Sequence, residues 1–157
     1  VLSVTGLVST EVKVDTIVDG CRRTEEIERV RSLAQAGLSR GQDVLLYTSR
    51  VLLSGPDAES SLAVSGRVSS ALVELVQGTS ERPRYIVAKG GITSSDLATK
   101  ALGVRRAEVL GQILPGVPVW RLGPESRYPG MPYVVFPGNV GGPRALAEVL
   151  DILRRGD

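Results

Sequence analysis

The chain has 157 residues, 42% of them hydrophobic, 23% charged and only 4% aromatic, with a formal net charge of +2. That length and apolar content suit one soluble domain with a core of Val, Leu, Ile and Ala. The near-neutral charge, the dispersed arginines and the lack of interleaved aromatics argue against a nucleic-acid surface.

No apolar run approaches the ~20 residues of a membrane span, so no membrane partner is expected. No charged leader precedes an apolar block, so a signal peptide is not expected. Cys21 is the one cysteine and histidine is absent. Disulfides, thiolate zinc sites and imidazole bases are therefore not expected, and a reducing cytoplasm is the expected compartment. The chain opens on Val rather than Met, so a C-terminal fragment of a longer protein is expected.

In chain order, EVKV (11–14) alternates polar and apolar residues and predicts a short strand. TEEIERVRSLAQAGLSRGQ sets Ile27, Val30, Ala34 and Leu38 at helical spacing, with Glu25 and Glu26 near its start. DVLLYTS (43–49) reads as a central strand. Residues 66–77 set Val68, Leu72, Val73 and Val76 on one helical face. RYIVAK (84–89) predicts a strand, and Ser94–Leu102 a helix closed by Gly103. RRAEVLGQILPGVPVWRLG, broken by Gly and Pro, predicts strand pieces. PYVVFPG (132–138) predicts a strand, and PRALAEVLDILRR (143–155) a helix with Pro143 in its first turn. Residues 54–67 and 123–132, rich in Gly, Ser and Pro, read as mobile loops. The alternation predicts an α/β fold: three layers, a mostly parallel sheet and helices on both faces.

Open α/β sheets bind ligands beyond the carboxyl ends of their strands. Two strand ends here run through glycines into a helix, AKGGITSSD and VVFPGNVGGPRA. Glycine lets backbone N–H groups approach a ligand, and a helix start adds unpaired donors with a partial positive charge. Together they form an anion site suited to phosphate. In the first stretch Gly90 and Gly91 precede Ile92, and Thr93, Ser94 and Ser95 add hydroxyls. Lys89, one of three lysines beside sixteen arginines, would stabilise developing charge if turned inward. The alternative is a sharp turn capped by Ser95 or Asp96. The second loop carries Gly138, Asn139, Gly141 and Gly142, and its alternative is a turn with Asn139 in a left-handed conformation. Neither loop matches GxxxxGK[ST] or GxGxxG. Ser49 and Arg50 read as a loop entry, and Glu125, Arg127 and Tyr128 as a solvated loop, with lid residues as the alternative. Asp15 and Asp19 form no metal or acid–base pattern, and no metal ligand is assigned.

AKGGITSSDLATKALG, RAEVLGQILPGVPVW and PYVVFPGNVGG, in this order and spacing, resemble the C-terminal nucleotide-binding domain of the four-carbon acid sugar kinases. This family includes threonate, erythronate and 3-oxo-tetronate kinases and was long a domain of unknown function. The resemblance spans about residues 11–153. It implies a single nucleotide-binding domain over residues 1–157, with ATP against Gly90, Gly91, Ile92 and Thr93 and against the loop at Gly138, Asn139 and Gly141. Mg²⁺ would accompany the ATP. Ile92 stands where many members have an acidic residue, which weakens any metal role there. The resemblance implies that the acceptor-binding domain and a Gly-Ser-x-Ser strand would precede Val1, so the catalytic base is expected from that domain and the chain alone is expected to show no turnover. The resemblance does not identify the sugar acid. A homo-oligomer is left open. So are a nucleotide or sugar-phosphate binding module without catalysis, and an interaction or effector protein on the same fold.

Overall fold

Short β-branched runs form the strands and three-residue apolar spacing forms the helices. The structure is a computed structural model that describes residues 5–49 and 58–156, in two compact units that divide after Glu81. In the first unit β1 (Leu7–Val12) pairs in parallel with β2 (Asp43–Thr48). The helix α2 (Arg23–Leu38) connects them, as its periodicity predicts. Gly37 allows close packing there, since a Cβ would lie 2.7 Å from the Val44 side chain. The core joins Val12, Ile17, Ile27, Val30, Ala71 and Leu75.

Two expectations change in this unit. The strand predicted over 11–14 begins earlier and ends at Val12. Val14 instead opens a short helix α1 (Val14–Val18), because Val14 and Ile17 are buried at helical spacing. Residues 58–67 lie in the long helix α3 (Ala58–Gly78) rather than in a mobile loop, while 54–57 lie outside the described residues. Ser49 is structural, accepting the Val14 N–H at 3.0 Å, and Arg50 lies outside the described residues.

In the second unit the strand order is β3 (Ile86–Lys89), β6 (Pro132–Phe136), β5 (Val117–Leu122), β4 (Ala107–Leu114). The α/β class holds, but the sheet is not mostly parallel. Only β3–β6 pairs in parallel, and β4–β5 and β5–β6 are antiparallel. For β4 and β5 the cause is the two-residue connection Pro115–Gly116, which can join only antiparallel neighbours. Helices cover both faces of this sheet. Val87, Val134 and Phe136 face α5 (Ala145–Arg155) with Ala145 and Val149. Tyr133 points the other way, and its hydroxyl donates to Ser94 O at 2.8 Å in α4 (Gly91–Asp96). A π-helical turn over Leu97–Ala101 extends α4, and Gly103 closes it at φ 67°. Pro143 precedes α5 rather than sitting in its first turn.

The segment 123–132 is tied down rather than loose. Glu125 accepts the Arg105 and Arg106 N–H groups, and its own backbone N–H, together with these two, holds its carboxyl below the usual range. Arg127 N–H donates to Leu102 O at 2.8 Å, and Tyr128 is buried. Among the described residues no helix is long and apolar enough to cross a membrane.

Candidate functional site

Because β3 and β6 are parallel neighbours, their carboxyl ends open on the same edge of the sheet. There the two glycine loops meet. Gly90 N–H donates to Phe136 O at 2.8 Å, and a Cβ on Gly138 would lie 4.0 Å from the Gly90 Cα. The structure thus brings together the first loop, Gly90–Thr93, and the second, from Pro137 to Gly142.

Gly90 stops β3 by adopting φ 104°, a conformation strongly favouring glycine, and serves as the N-cap of α4. The helix begins at Gly91, three residues earlier than the sequence suggests. Ser95 and Asp96 therefore lie inside it and neither caps it. Asp96 instead pairs with Lys100 one turn on, at 2.7 Å. Ser94 is buried, and its Oγ lies 2.8 Å from Ala88 O and 2.6 Å from Gly90 O. Its single proton is shared between two carbonyls, so Ser94 braces the loop from beneath rather than offering a donor outward. Tyr133 holds the same residue from the sheet, and burial pushes its phenol pKa up, keeping it a neutral donor. At the helix start the N–H groups of Gly91, Ile92 and Thr93 have no partner among the described residues, as a first turn dictates. Thr93 is half-buried and its hydroxyl makes no hydrogen bond among the described residues, while Ile92 is 68% exposed.

Pro137, which lacks an N–H, ends β6 and opens a turn closed by Val140 N–H to Pro137 O at 3.4 Å. Asn139 is not left-handed, since no non-glycine residue among those described has positive φ. The N–H groups of Gly138 and Asn139 at the centre of this turn have no partner among the described residues. Gly141 differs from the others. Its φ is 82°, and a Cβ would fall 2.5 Å from that of Ala145, so the fold itself requires glycine there. Gly91 and Gly142 have ordinary φ and open space around a notional Cβ. The backbone and packing therefore do not explain why Gly91 is glycine.

Lys89 shares a face with Phe136, its register partner in β6. Its ammonium lies 4.3 Å from the Phe136 ring centroid, 3.3 Å from Pro137 O and 3.5 Å from Gly138 O. Alternation along β3 puts Lys89 on the same face as Val87, which packs on the α5 side. The role of Tyr133 carries no such local signal, because it is set by a contact 39 positions away in sequence, whereas the Ser94 hydroxyl bonds carbonyls only four and six residues back.

The loops offer backbone N–H groups and a threonine hydroxyl, which suit an anion, and no carboxylate, which a cation would need. Among the described residues no group of three or more His, Cys, Asp or Glu is placed to hold a metal.

No curated protein is significantly similar to the chain in sequence. Among solved structures, the chain is similar to a domain of unknown function from Bordetella bronchiseptica, solved with bound citrate as a domain-swapped dimer. The TM-score is 0.71 at 23% identity, over 95% of this chain and 35% of that one. It is also similar to a Salmonella typhimurium LT2 protein provisionally described as a tRNA synthase, with a TM-score of 0.70 and 18% identity over 96% of this chain and 35% of that one. A Haemophilus influenzae protein of the same unknown-function family gives 0.68 at 18% identity, over 93% of this chain and 34% of that one. These identities establish the fold alone, and the chain spans about a third of the length of each structure. A family model described as the nucleotide-binding C-terminal domain matches residues 2–146. That match covers all three segments from which the resemblance was drawn, and the chain belongs to this family of nucleotide-binding C-terminal domains.

Proposed function

We propose that the chain is the ATP-binding part of a cytoplasmic kinase that phosphorylates a small four-carbon sugar acid. One observation carries the reading: two glycine loops, adjacent at Gly90 and Gly138, each present unpaired backbone N–H groups at one edge of the sheet. Such donors suit the β- and γ-phosphates, whose transfer needs positioning and charge stabilisation rather than covalent chemistry from the protein. Gly91, Ile92 and Thr93 bind one side of the triphosphate, and Gly138 and Asn139 the other. Gly141 shapes the second loop. Mg²⁺ arrives as part of the substrate MgATP, held by phosphates and water, because the loops supply no carboxylate. The loops contain no general base, so the sugar acid and the group that deprotonates its hydroxyl belong to a further domain of a longer protein. Residues 1–157 then act as its C-terminal nucleotide-binding domain.

Calorimetric titration of MgATP into the full chain, followed by a coupled ADP-release assay of the longer protein over four-carbon sugar acids, tests this. Binding together with acid-dependent turnover is expected. Binding without turnover on any acid would leave a nucleotide-responsive module and overturn the kinase assignment. No binding at all would remove the nucleotide role of these loops.

A further inference from the structure

Lys89 sits where a phosphate-binding lysine would be sought, yet its ammonium is already engaged by its own protein. Lys89 is exposed, and Pro137 O at 3.3 Å, Gly138 O at 3.5 Å and the Phe136 ring at 4.3 Å lie beside its ammonium. All three partners belong to the end of β6 and the loop that follows it. The two carbonyls have a consequence for the peptide units that carry them. No peptide bond among the described residues is cis. In a trans peptide the C=O and the following N–H point in opposite directions. Turning Pro137 O towards Lys89 therefore turns Gly138 N–H away from it, and turning Gly138 O inward does the same for Asn139 N–H. Pro137 O also accepts Val140 N–H at 3.4 Å, so the lysine braces a turn that one backbone bond already closes.

We propose that Lys89 is a positioning residue. It anchors the second glycine loop by its carbonyls and so presents the Gly138 and Asn139 N–H groups to an anionic ligand, without touching that ligand. The proposal rests on the phosphate-binding reading for its purpose, but the clamp acts before any ligand arrives. The geometry calls for a cationic donor on a flexible stem. A spherical ammonium with three donors can serve two carbonyls and a ring face together, and its flexible stem spans the step from β3 to the loop.

The test compares Lys89→Met, which keeps the stem and loses the charge and donors, with Lys89→Arg, which keeps both. Backbone ¹⁵N relaxation is measured on the ligand-free full chain, and MgATP and MgADP affinities by calorimetry. In the wild type the Gly138 and Asn139 amides are expected to be rigid, with order parameters near ~0.85, falling towards ~0.6 in Lys89→Met. Nucleotide affinity is expected to fall about tenfold in Lys89→Met, and Lys89→Arg to recover most of both losses. If Lys89→Met leaves the ligand-free loop rigid and still weakens nucleotide binding, the lysine contacts phosphate directly and the clamp is refuted. Should the wild type bind neither nucleotide, the phosphate reading fails by itself. The relaxation data then decide the clamp, and unchanged order parameters overturn it.

Discussion

Gly91 separates a turn from a ligand site, because stability and affinity should respond to its replacement with opposite signs. A Cβ at this position meets no atom within 4 Å, and its φ lies outside the left-handed region. Glycine in a helix costs roughly 0.5–1 kcal/mol relative to alanine, through the extra freedom of the unfolded chain. Gly91→Ala should therefore leave the fold intact and raise stability by up to ~1 kcal/mol, which is about 2–4 °C in Tm for a chain of this size. The same open space is where a phosphate would approach the Gly91 N–H. Gly91→Val fills it with a branched side chain beside the first-turn donors. Loss of one charge-assisted hydrogen bond, about 1.5–3 kcal/mol, corresponds to about 10–100-fold weaker MgATP binding. Differential scanning calorimetry and isothermal titration on the same preparations measure the two effects. If Gly91→Val binds MgATP as the wild type does, Gly91 is a connector residue and the anion-site argument for the first loop is wrong. A large drop in Tm for Gly91→Ala would instead show that the conformation assigned to Gly91 is incorrect.

The other three positions should respond differently. Gly141→Ala combines a left-handed φ with a collision against Ala145, so it should lower stability by about 2–4 kcal/mol in a denaturant titration; a neutral result would contradict the loop geometry. Ser94→Ala removes the buried hydroxyl that serves Ala88 O and Gly90 O and should cost about 1–3 kcal/mol, with weaker nucleotide binding because the first loop loses its brace. Unchanged stability would mean that water replaces the hydroxyl. Glu26 is buried against Arg29 and accepts Lys13 N–H at 2.9 Å. The Arg29 hydrogen bond holds its carboxyl below the usual range. Its stabilisation is therefore present above the unfolded value of about 4.3 and is lost as pH falls through the lower folded value. Glu26→Gln should cost about 1–2 kcal/mol at pH 7, screened because Arg29 is partly exposed, and the difference should vanish in strong acid. A gap between the two proteins that stays constant with pH would refute the ionic origin.

Much of the fold was legible because its signals are local. Ile27, Val30 and Ala34 mark α2 by their spacing, and all three are buried. Gly103 ends the extended α4 segment as the sequence suggests, and the glycines of both loops fall where strands give way to helices. The errors also have local causes. EVKV fits a strand and a helix start equally well, and a Ser- and Gly-rich stretch such as residues 58–67 resembles a loop until Ala71 and Leu75 further along bury a helical face. Antiparallel pairing of β4 and β5 was readable from Pro115–Gly116, but strand–helix alternation elsewhere pointed to a parallel sheet.

The sequence by itself determined that two glycine-containing strand ends lead into helices, since glycine, proline and apolar spacing act on their own few residues. Only the tertiary structure decided that these ends meet. Lys89 and Pro137 lie 48 positions apart in sequence. They come together because β3 and β6 share backbone hydrogen bonds in one parallel register. That register also fixes which face each side chain takes. It sends Lys89 over Phe136 to the carbonyls of the second loop and leaves Tyr133 on the opposite face, where its hydroxyl reaches Ser94 O. Local propensity cannot encode these outcomes, because each depends on hydrogen bonds and burial between segments that the chain brings together only on folding.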